Sequence, residues 1–463
     1  MTVIMETGSN YDDLWSADPE MSDFEALMWR AEADARLRSD GTMMAILSHA
    51  PDWQDFRDLH AWGAHRVPRL RQKVVDDPLR IRPPAWVGTD VDLSYHVTRV
   101  RLAEGEGMDG LLERAASLHM TPFDPARPLW QAVLVEGLPD GKAGYLLKVH
   151  HALSDGQGFM QLFEMLFPAD PQTRHTPPRG PIPGVEDPAS PADNLRGSVH
   201  TVFGMVRGIG SLAARAVRRP AEAVNYAQSL TRVVKVPGTP SRLLAQRGLA
   251  RRVRVLECDI NELKAAGKAA GGSINDAYIA ALVGGIARYH AKHGAEVDDF
   301  PVALPVSTRK VGDAAGGNKF AGAYIAGPAT EPDPARRIAL IRERVLAVRE
   351  EPAMAFLGST AGVMSRLPAG VLTSVTLKSS SSLNLQASNF PGMSRPSYLA
   401  GARMERMYPL GPVPGSAMMA TLVTHDGIAC IGVVTDHDAV PDPDLLNECM
   451  GEGLAEVLAL AKR

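Results

Sequence analysis

The residue types best suited to chemistry lie in one short segment, His150-His151-Ala152-Leu153-Ser154-Asp155-Gly156. This segment follows a strand-like run, so its histidines would be held at the end of a strand. The ordinary pKa of an imidazole, about 6.5, suits removal of a proton from a hydroxyl group near neutral pH. Asp155 would brace the turn, and Gly156 would let a ligand approach the backbone. The segment therefore predicts a histidine base.

Two other interpretations of the paired histidines are open at this point: surface residues, or half of a metal site. The cysteines, Cys258, Cys430 and Cys449, are scattered and form no CxxC pair. This spacing indicates neither zinc nor a disulfide framework, and it fits a reducing compartment. No third cluster of ligands accompanies the histidines, so we predict no metal.

A second candidate is the pair Asn275 and Asp276. Ser273 stands three residues before Asp276 and ahead of an apolar run, which is a variant of the capping box. The pattern predicts that Asp276 caps a helix. Asn275 lies one residue earlier and could face a cleft as a hydrogen-bond donor.

Strands and helices alternate in both halves of the chain. In the first half we predict strands at 131–138 and 144–150, joined by a turn at 139–142, and a helix at 159–167. In the second half we predict a strand at 252–259, helices at 261–270 and from Ser273 to about 291, a strand at 301–307, and a hairpin over 417–435 that turns at Asp426-Gly427.

The chain has 463 residues, a length that suits two domains. Hydrophobic residues make up 45%, charged residues 22%, and the net charge is -4, so a largely disordered chain and a general nucleic-acid-binding surface are excluded. Residues 168–193 are rich in proline and read as a linker. We predict an N-terminal lobe at 1–168, a linker and connector at 169–245, and a C-terminal lobe at 246–463, with a cleft between the lobes.

The connector is strongly basic. Between Arg196 and Arg254 there are twelve basic residues and one acid, Glu222. Over 195–232 the helical period places an apolar face, from Val199 to Val217, opposite several arginines. Such a helix can lie in a membrane interface with its cations over anionic headgroups. It could also be a connector packed on one lobe with solvated arginines, and some arginines could meet phosphates of a ligand.

The ordered motifs of the chain resemble those of the bacterial wax ester synthase/diacylglycerol acyltransferase family, within the HHxxxDG acyltransferase superfamily. Besides HHxxxDG, the matching motifs are Met21-Ser22-Asp23-Phe24, Pro128-Leu129-Trp130, Asn275-Asp276, Pro305-Val306-Ser307-Thr308-Arg309, Gly317-Asn318 and Ser388-Asn389-Phe390-Pro391-Gly392. The chain departs from the family at Glu25, where an aspartate is usual, and at Phe390, where valine is usual.

The resemblance implies an α/β fold of two chloramphenicol-acetyltransferase-like lobes, each a mixed sheet with flanking helices, and an active-site channel between them. It implies that His151 is the general base and that His150 shapes the loop. It implies that Asp155 turns away from the cleft and pairs with Arg309. Gly156, Asp276 and Arg309 would then support the site.

Further roles also follow from the resemblance. Asn275 is expected to assist by hydrogen bonding, and the donor to the developing oxyanion is expected among Asn275, Ser388 and Asn389. Pro128 and Trp130 are expected to be core or cleft wall.

The implied reaction moves a fatty acyl group from acyl-CoA to diacylglycerol or a long-chain alcohol. Acyl-CoA is a co-substrate, and we expect no tightly bound cofactor and no nucleic-acid partner. Alternatives are an acyltransferase or condensation enzyme that uses carrier proteins, and a non-catalytic lipid-droplet protein. The expected location is the cytoplasm, with peripheral attachment to the inner membrane or to lipid droplets.

Overall fold

The structure is a computed structural model that describes residues 18–185, 236–307, 320–351 and 357–462. The helix predicted at 195–232 lies outside the described residues, as do Arg309 and the Gly317-Asn318 motif.

Helices flank the sheets in both halves of the chain. The α-helices are α1 (Asp23–Ala31), α2 (Trp53–Arg66), α3 (Leu93–His96), α4 (Gly107–Met120), α5 (Gly156–Leu166), α6 (Ile260–Ala269), α7 (Ile274–Lys292), α8 (Pro334–Arg349), α9 (Leu357–Ser365), α10 (Ala369–Ser380) and α11 (Pro443–Leu458). Short 3₁₀ turns occupy Ala35–Leu37, Pro68–Arg71, Pro139–Gly141 and Ala459–Lys462.

The described strands form two six-stranded sheets and one small hairpin. The strands are β1 (Asp40–Leu47), β2 (Gln72–Val75), β3 (Ala85–Gly88), β4 (Val97–Arg101), β5 (Trp130–Glu136), β6 (Ala143–His150), β7 (Arg251–Asp259), β8 (Phe300–Ser307), β9 (Phe320–Gly327), β10 (Leu385–Phe390), β11 (Tyr398–Leu399), β12 (Ala402–Leu410), β13 (Met418–His425) and β14 (Ile428–Asp436). β2 and β3 pair with each other.

The first sheet has the order β11-β12-β1-β6-β5-β4, so its centre is formed by β1 and β6. β6 is antiparallel to both β1 and β5, and all eight of its residues are buried. The sequence placed residues 398–410 in the C-terminal lobe at 246–463, but β11 and β12 join this first sheet beside β1. The boundary between the lobes is therefore crossed by a strand pair, a long-range pairing that local sequence patterns do not reveal.

The second sheet has the order β7-β14-β13-β10-β8-β9 and mixes parallel with antiparallel pairs. β10 is parallel to β13 and to β8, whereas β13, β14 and β7 are antiparallel neighbours. The two sheets meet where β12 passes over β14. A Cβ at Gly432 would lie 2.1 Å from the Pro409 carbonyl oxygen, so only glycine permits this close approach.

The elements predicted from the sequence in the described ranges are confirmed to within a few residues at their ends. The turn between β5 and β6 contains Asp140 and Gly141 at φ values of 59° and 72°. The turn between β13 and β14 contains Asp426 and Gly427 at 46° and 84°. Aspartate and glycine tolerate this left-handed region, which is why the sequence identified both hairpins.

Candidate active site

Backbone hydrogen bonds fix the positions of the two histidines at the end of β6. The backbone N–H of His150 donates to the Leu129 carbonyl oxygen at 3.1 Å, and the N–H of His151 donates to the Ser39 carbonyl oxygen at 2.9 Å. His150 is buried, while His151 is half-buried and lines a cavity. Neighbouring residues at the end of a strand point in different directions, so one histidine enters the core and the other faces the cavity.

His150 is anchored by a carboxylate that sequence reasoning missed. Its Nε2 lies 2.7 Å from Oε1 of Glu32, the residue that ends α1. The Ala152 N–H donates to the other ring nitrogen, Nδ1, at 3.0 Å, which favours the ring form with its proton on Nε2. Burial acts to lower the pKa of His150, but the carboxylates of Glu32 and Asp40 outweigh it and raise the pKa.

A buried ion pair lies beside this bond. The Lys148 ammonium is 3.0 Å from Asp40, and both side chains are almost fully buried. Asp40 faces His150 across the β1–β6 pairing, and Glu32, Asp40 and His150 bring their ligand atoms within 4.8 Å of one another. Such a donor set could hold a metal ion, but the Lys148 ammonium already supplies a positive charge to it. Burial raises the pKa of Asp40 and lowers that of Lys148, and their mutual attraction opposes both effects.

Asp155 begins α5 as its N-cap. Its carboxylate accepts a hydrogen bond from the Gly158 N–H at 3.1 Å, and it is 7% exposed. This contact gives Asp155 a structural role in the turn, as expected for a residue that braces the loop. Its predicted partner, Arg309, lies outside the described residues, so the Asp155–Arg309 pair stays a prediction.

Gly156 connects the histidine loop to the other lobe. A Cβ placed on it would lie 3.0 Å from Cδ1 of Phe390, the residue that stands where the family usually has valine. Phe390 ends β10, and its neighbours Ser388 and Asn389 line the same cavity as His151. The absence of a side chain at Gly156 therefore makes room for the larger Phe390 ring.

The cavity has a volume of about 510 Å³. One wall is an apolar face of α1, spaced as i, i+3, i+4 and i+7 and formed by Phe24, Leu27, Met28 and Ala31. Another wall carries hydroxyl and amide groups, from Thr376, Ser379, Ser380, Gln386, Ser388 and Asn389. His151 thus opens onto a space in which an apolar chain and a polar group can both be accommodated.

Helix α1 is fixed at both ends, and this sets the apolar wall. Ser22 and Glu25 form a reciprocal capping box at the start of α1. Glu25 stands where the family usually has aspartate, and its side chain accepts the Ser22 N–H. Asp23 pairs with Arg366 at 3.0 Å, which ties α1 to the region after α9. Arg30 pairs with Asp76 at 2.6 Å and donates to the Ser365 carbonyl oxygen at 3.0 Å.

The structure brings together only part of the predicted site. Of the site residues predicted from the sequence, those that line the cavity are His151, Asp155, Gly156, Ser388 and Asn389. Asp155, which was expected to turn away from the cleft, is therefore part of the cavity lining. Pro128, Asn275 and Asp276 are not among the described lining residues. Asp276 forms the predicted capping box with Ser273, with a 2.8 Å bond from the Ser273 N–H, and lies 3.6 Å from Arg342.

Trp130 belongs to the core of the first lobe. It is 2% exposed, donates from Nε1 to the Leu70 carbonyl oxygen at 3.0 Å, and stacks on the His96 ring with a centroid separation of 4.5 Å. Pro128 and Leu129 lead into β5, and the Leu129 carbonyl accepts the His150 N–H. The motif therefore lies at the start of the strand beside β6 and contacts the histidine loop through this backbone hydrogen bond.

Two mixed α/β lobes, with a histidine loop at a cavity between sheet and helices, define a chloramphenicol-acetyltransferase-like fold. Solved structures share it along nearly their whole length. The wax ester synthase/diacylglycerol acyltransferase from Marinobacter aquaeolei VT8 is 20% identical with a TM-score of 0.61, covering 98% of this chain and 99% of that one. The starter condensation domain of rhizomide synthetase, solved as a point mutant in complex with C8-CoA, is 13% identical with a TM-score of 0.59, covering 96% of this chain and 94% of that one.

The chain belongs to the wax ester synthase/diacylglycerol acyltransferase family. The family's catalytic domain matches residues 21–278, and its C-terminal domain matches residues 316–457. A protein of Mycobacterium tuberculosis (strain H37Rv), assigned by name to the diacylglycerol O-acyltransferases, is 40% identical over 457 residues, which cover 96% of this chain and 92% of the relative. The resemblance inferred from the motifs is thereby confirmed, and with it an acyltransferase class of enzyme. None of the helices in the described part of the chain is long and apolar enough to cross a membrane.

Proposed function

We propose that the protein transfers a fatty acyl group from acyl-CoA to the hydroxyl group of diacylglycerol or of a long-chain alcohol. The observation that carries the proposal is the position of His151, at a strand end and at the wall of a cavity of about 510 Å³ with one apolar and one polar side. An acyl chain suits the wall formed by Phe24, Leu27 and Met28. A hydroxyl group and a thioester suit the polar side.

In the proposed reaction His151 removes the hydroxyl proton as the oxygen attacks the thioester carbonyl carbon. The carbon–oxygen bond forms and a tetrahedral oxyanion develops. The carbon–sulfur bond then breaks, and the CoA thiolate takes the proton from His151. No covalent acyl-enzyme is required, and the protein ends each cycle unchanged.

Neighbouring groups are assigned supporting roles in this proposal. Ser388 and Asn389 line the cavity with His151 and are the candidates to donate to the oxyanion. Asn275, half-buried at the start of α7, would support the site from the helix terminus. Gly156, Asp276 and Arg309 would maintain the architecture around the loop. Acyl-CoA acts as a co-substrate and leaves as CoA, and no resident cofactor takes part.

The lipid substrates are expected to reach the enzyme at a membrane or lipid-droplet surface. The basic segment between Arg196 and Arg254 supports this expectation through its sequence, although most of it lies outside the described residues. A cytoplasmic location with peripheral attachment remains part of the proposal.

The test is direct transfer of labelled acyl groups by purified protein to a panel of acceptors. Wild-type protein should form triacylglycerol or wax ester from acyl-CoA, and His151→Ala should lose about 10²–10⁴-fold in turnover while keeping its melting curve. His150→Ala should lose less. Transfer from acyl carrier protein but not from acyl-CoA would favour the carrier-dependent alternative, and absence of transfer from any donor would favour a non-catalytic lipid-droplet protein.

A further inference from the structure

Helix α10 buries Leu372 but exposes two other apolar residues on its outer side. Val371 and Val375, spaced as i and i+4, are 48% and 47% exposed. A different face of the same helix carries Thr376 and Ser380, which line the cavity. A helix that supports a core normally buries its apolar face and exposes its polar one. The two exposed valines therefore leave an apolar strip open to an apolar neighbour on the outer side of α10.

Other exposed apolar residues lie close to this helix. Leu79 and Ile81, in the turn after β2, are 77% and 40% exposed, and Val363 of α9 is 54% exposed. The turn is joined to the α9–α10 junction by two contacts. Arg80 donates to the Leu367 carbonyl oxygen at 2.9 Å, and Arg366 donates to the Ile81 carbonyl oxygen at 3.4 Å. We call the set Leu79, Ile81, Val363, Val371 and Val375 the outer apolar patch.

Two cationic side chains lie within or beside the outer apolar patch, Arg80 in the turn and Lys378 on α10. Between residues 352 and 404 the sequence contains Arg366, Lys378, Arg395 and Arg403 but no aspartate or glutamate, and of these Arg366 pairs with Asp23 and Arg403 with Asp426. Lys378 follows Val371 and Val375 on the same helix face, at i+7, and is exposed. In the turn, Asp77 is engaged by the backbone N–H groups of Leu79, Ile81 and Arg82, so its carboxylate is directed into the turn.

We propose that the outer apolar patch docks on a phospholipid surface with anionic headgroups and places the cavity wall formed by α9 and α10 against that surface. Valine and leucine side chains would enter the headgroup–acyl boundary, and Arg80 and Lys378 would meet phosphates. The inference deepens the proposed function, on which it rests for the lipid nature of the substrates. The residues that it assigns lie outside the basic segment between Arg196 and Arg254 in the sequence.

The test is cosedimentation with vesicles of equimolar phosphatidylcholine and phosphatidylglycerol. The variant Leu79→Ser/Val371→Ser/Val375→Ser should bind at least about tenfold more weakly than wild type. The matched control is Met108→Ser/Leu346→Ser, which removes two exposed apolar side chains from other elements and should bind like wild type. The basic segment is intact in both variants, so wild-type binding by the patch variant would assign attachment to that segment and overturn the proposal.

Binding needs no turnover, so the outcome is independent of the proposed reaction. Transfer from a short acyl-CoA to a water-soluble alcohol should be unchanged in the patch variant. If the wild-type protein shows no such transfer, the proposed function is refuted and the docking proposal is not. Leu79→Trp gives a second measurement that keeps an apolar side chain. Its difference fluorescence should shift to the blue on the same vesicles, and an unshifted spectrum, or a concentration-dependent dimer abolished by the patch variant, would overturn docking on lipid.

Discussion

His150 and Glu32 form a 2.7 Å hydrogen bond between the histidine loop and the end of α1. The same Glu32 oxygen accepts the Ser39 N–H at 2.7 Å, and the Ser39 carbonyl accepts the His151 N–H at 2.9 Å. Glu32 therefore holds His150 by its side chain and His151 through one intervening residue. The helix that provides the apolar cavity wall also sets the position of the proposed base.

We expect Glu32→Ala to lower turnover about 10- to 100-fold, because a hydrogen bond to a charged group contributes about 1.5–3 kcal/mol. Glu32→Gln keeps an acceptor oxygen and should retain most of the activity. The carboxylate also helps to raise the pKa of His150, so that pKa should fall in Glu32→Gln. NMR titration of the imidazole measures this fall. An unchanged His150 pKa in Glu32→Gln, together with unchanged turnover in Glu32→Ala, would contradict the positioning role of Glu32.

We expect Gly156→Ala to disturb the site by overpacking, because its new Cβ would lie 3.0 Å from the Phe390 ring. Overpacking of this kind costs about 1–3 kcal/mol. The double variant Gly156→Ala/Phe390→Val replaces the ring by the residue usual in the family and should recover stability and activity. Thermal melting and acyl-transfer rates are measured for the two single variants and the double variant. Together they give the interaction free energy between positions 156 and 390. Additive effects in this cycle would show that the two residues do not interact.

We expect turnover without an acyl-enzyme. Burial raises the pKa of Cys258 to about 12 and that of Cys430 to about 11, and it also raises the pKa of Cys449. These thiols are therefore protonated at neutral pH and are poor nucleophiles. Replacement of all three by alanine should preserve acyl transfer in the folded fraction. A labelled acyl group recovered on the quenched protein by mass spectrometry would be the contrary result.

We expect stability to fall in mild acid. Burial lowers the pKa of His60 and His96 to about 4 and that of His119 to about 3. Unfolded histidines titrate near pH 6.5, so the unfolded chain binds more protons than the folded chain between about pH 4 and 6.5. Each group then removes about 1.4 kcal/mol of stability per pH unit as the pH falls through this window.

His150 acts in the opposite direction, because its raised pKa adds stability below about pH 6.5. The net effect of the four groups is therefore a loss of stability in acid. Urea unfolding at pH 7 and pH 5 measures this loss. His119→Gln should reduce the difference between the free energies of unfolding at the two pH values. Equal free energies of unfolding at both pH values would contradict the expectation.

Local patterns in the sequence were sufficient for the elements that carry the motifs. Asp-Gly turns, the Ser273 cap and the alternation of apolar residues each act over a few residues, so strands β5, β6, β13 and β14 and the start of α7 could be predicted. The order of the motifs was sufficient to identify the family, and the family resemblance was sufficient to predict the two-lobed fold. The resemblance also named His151, Ser388 and Asn389 as candidate site residues, and all three line the cavity.

Only the tertiary structure decided which distant groups meet. Glu32 and His150 are 118 positions apart, and Arg30 and the Ser365 carbonyl are 335 apart. Neither the pairing of β12 with β1 nor the use of the α1 face as a cavity wall has a local signal, since an apolar helix face looks the same whether it covers a core or a ligand space. The sequence by itself determined the loop, its flanking elements and the family. Long-range packing determined the carboxylate behind His150, the walls of the cavity and the placement of Phe390 against Gly156, because such contacts depend on the folding of the whole chain.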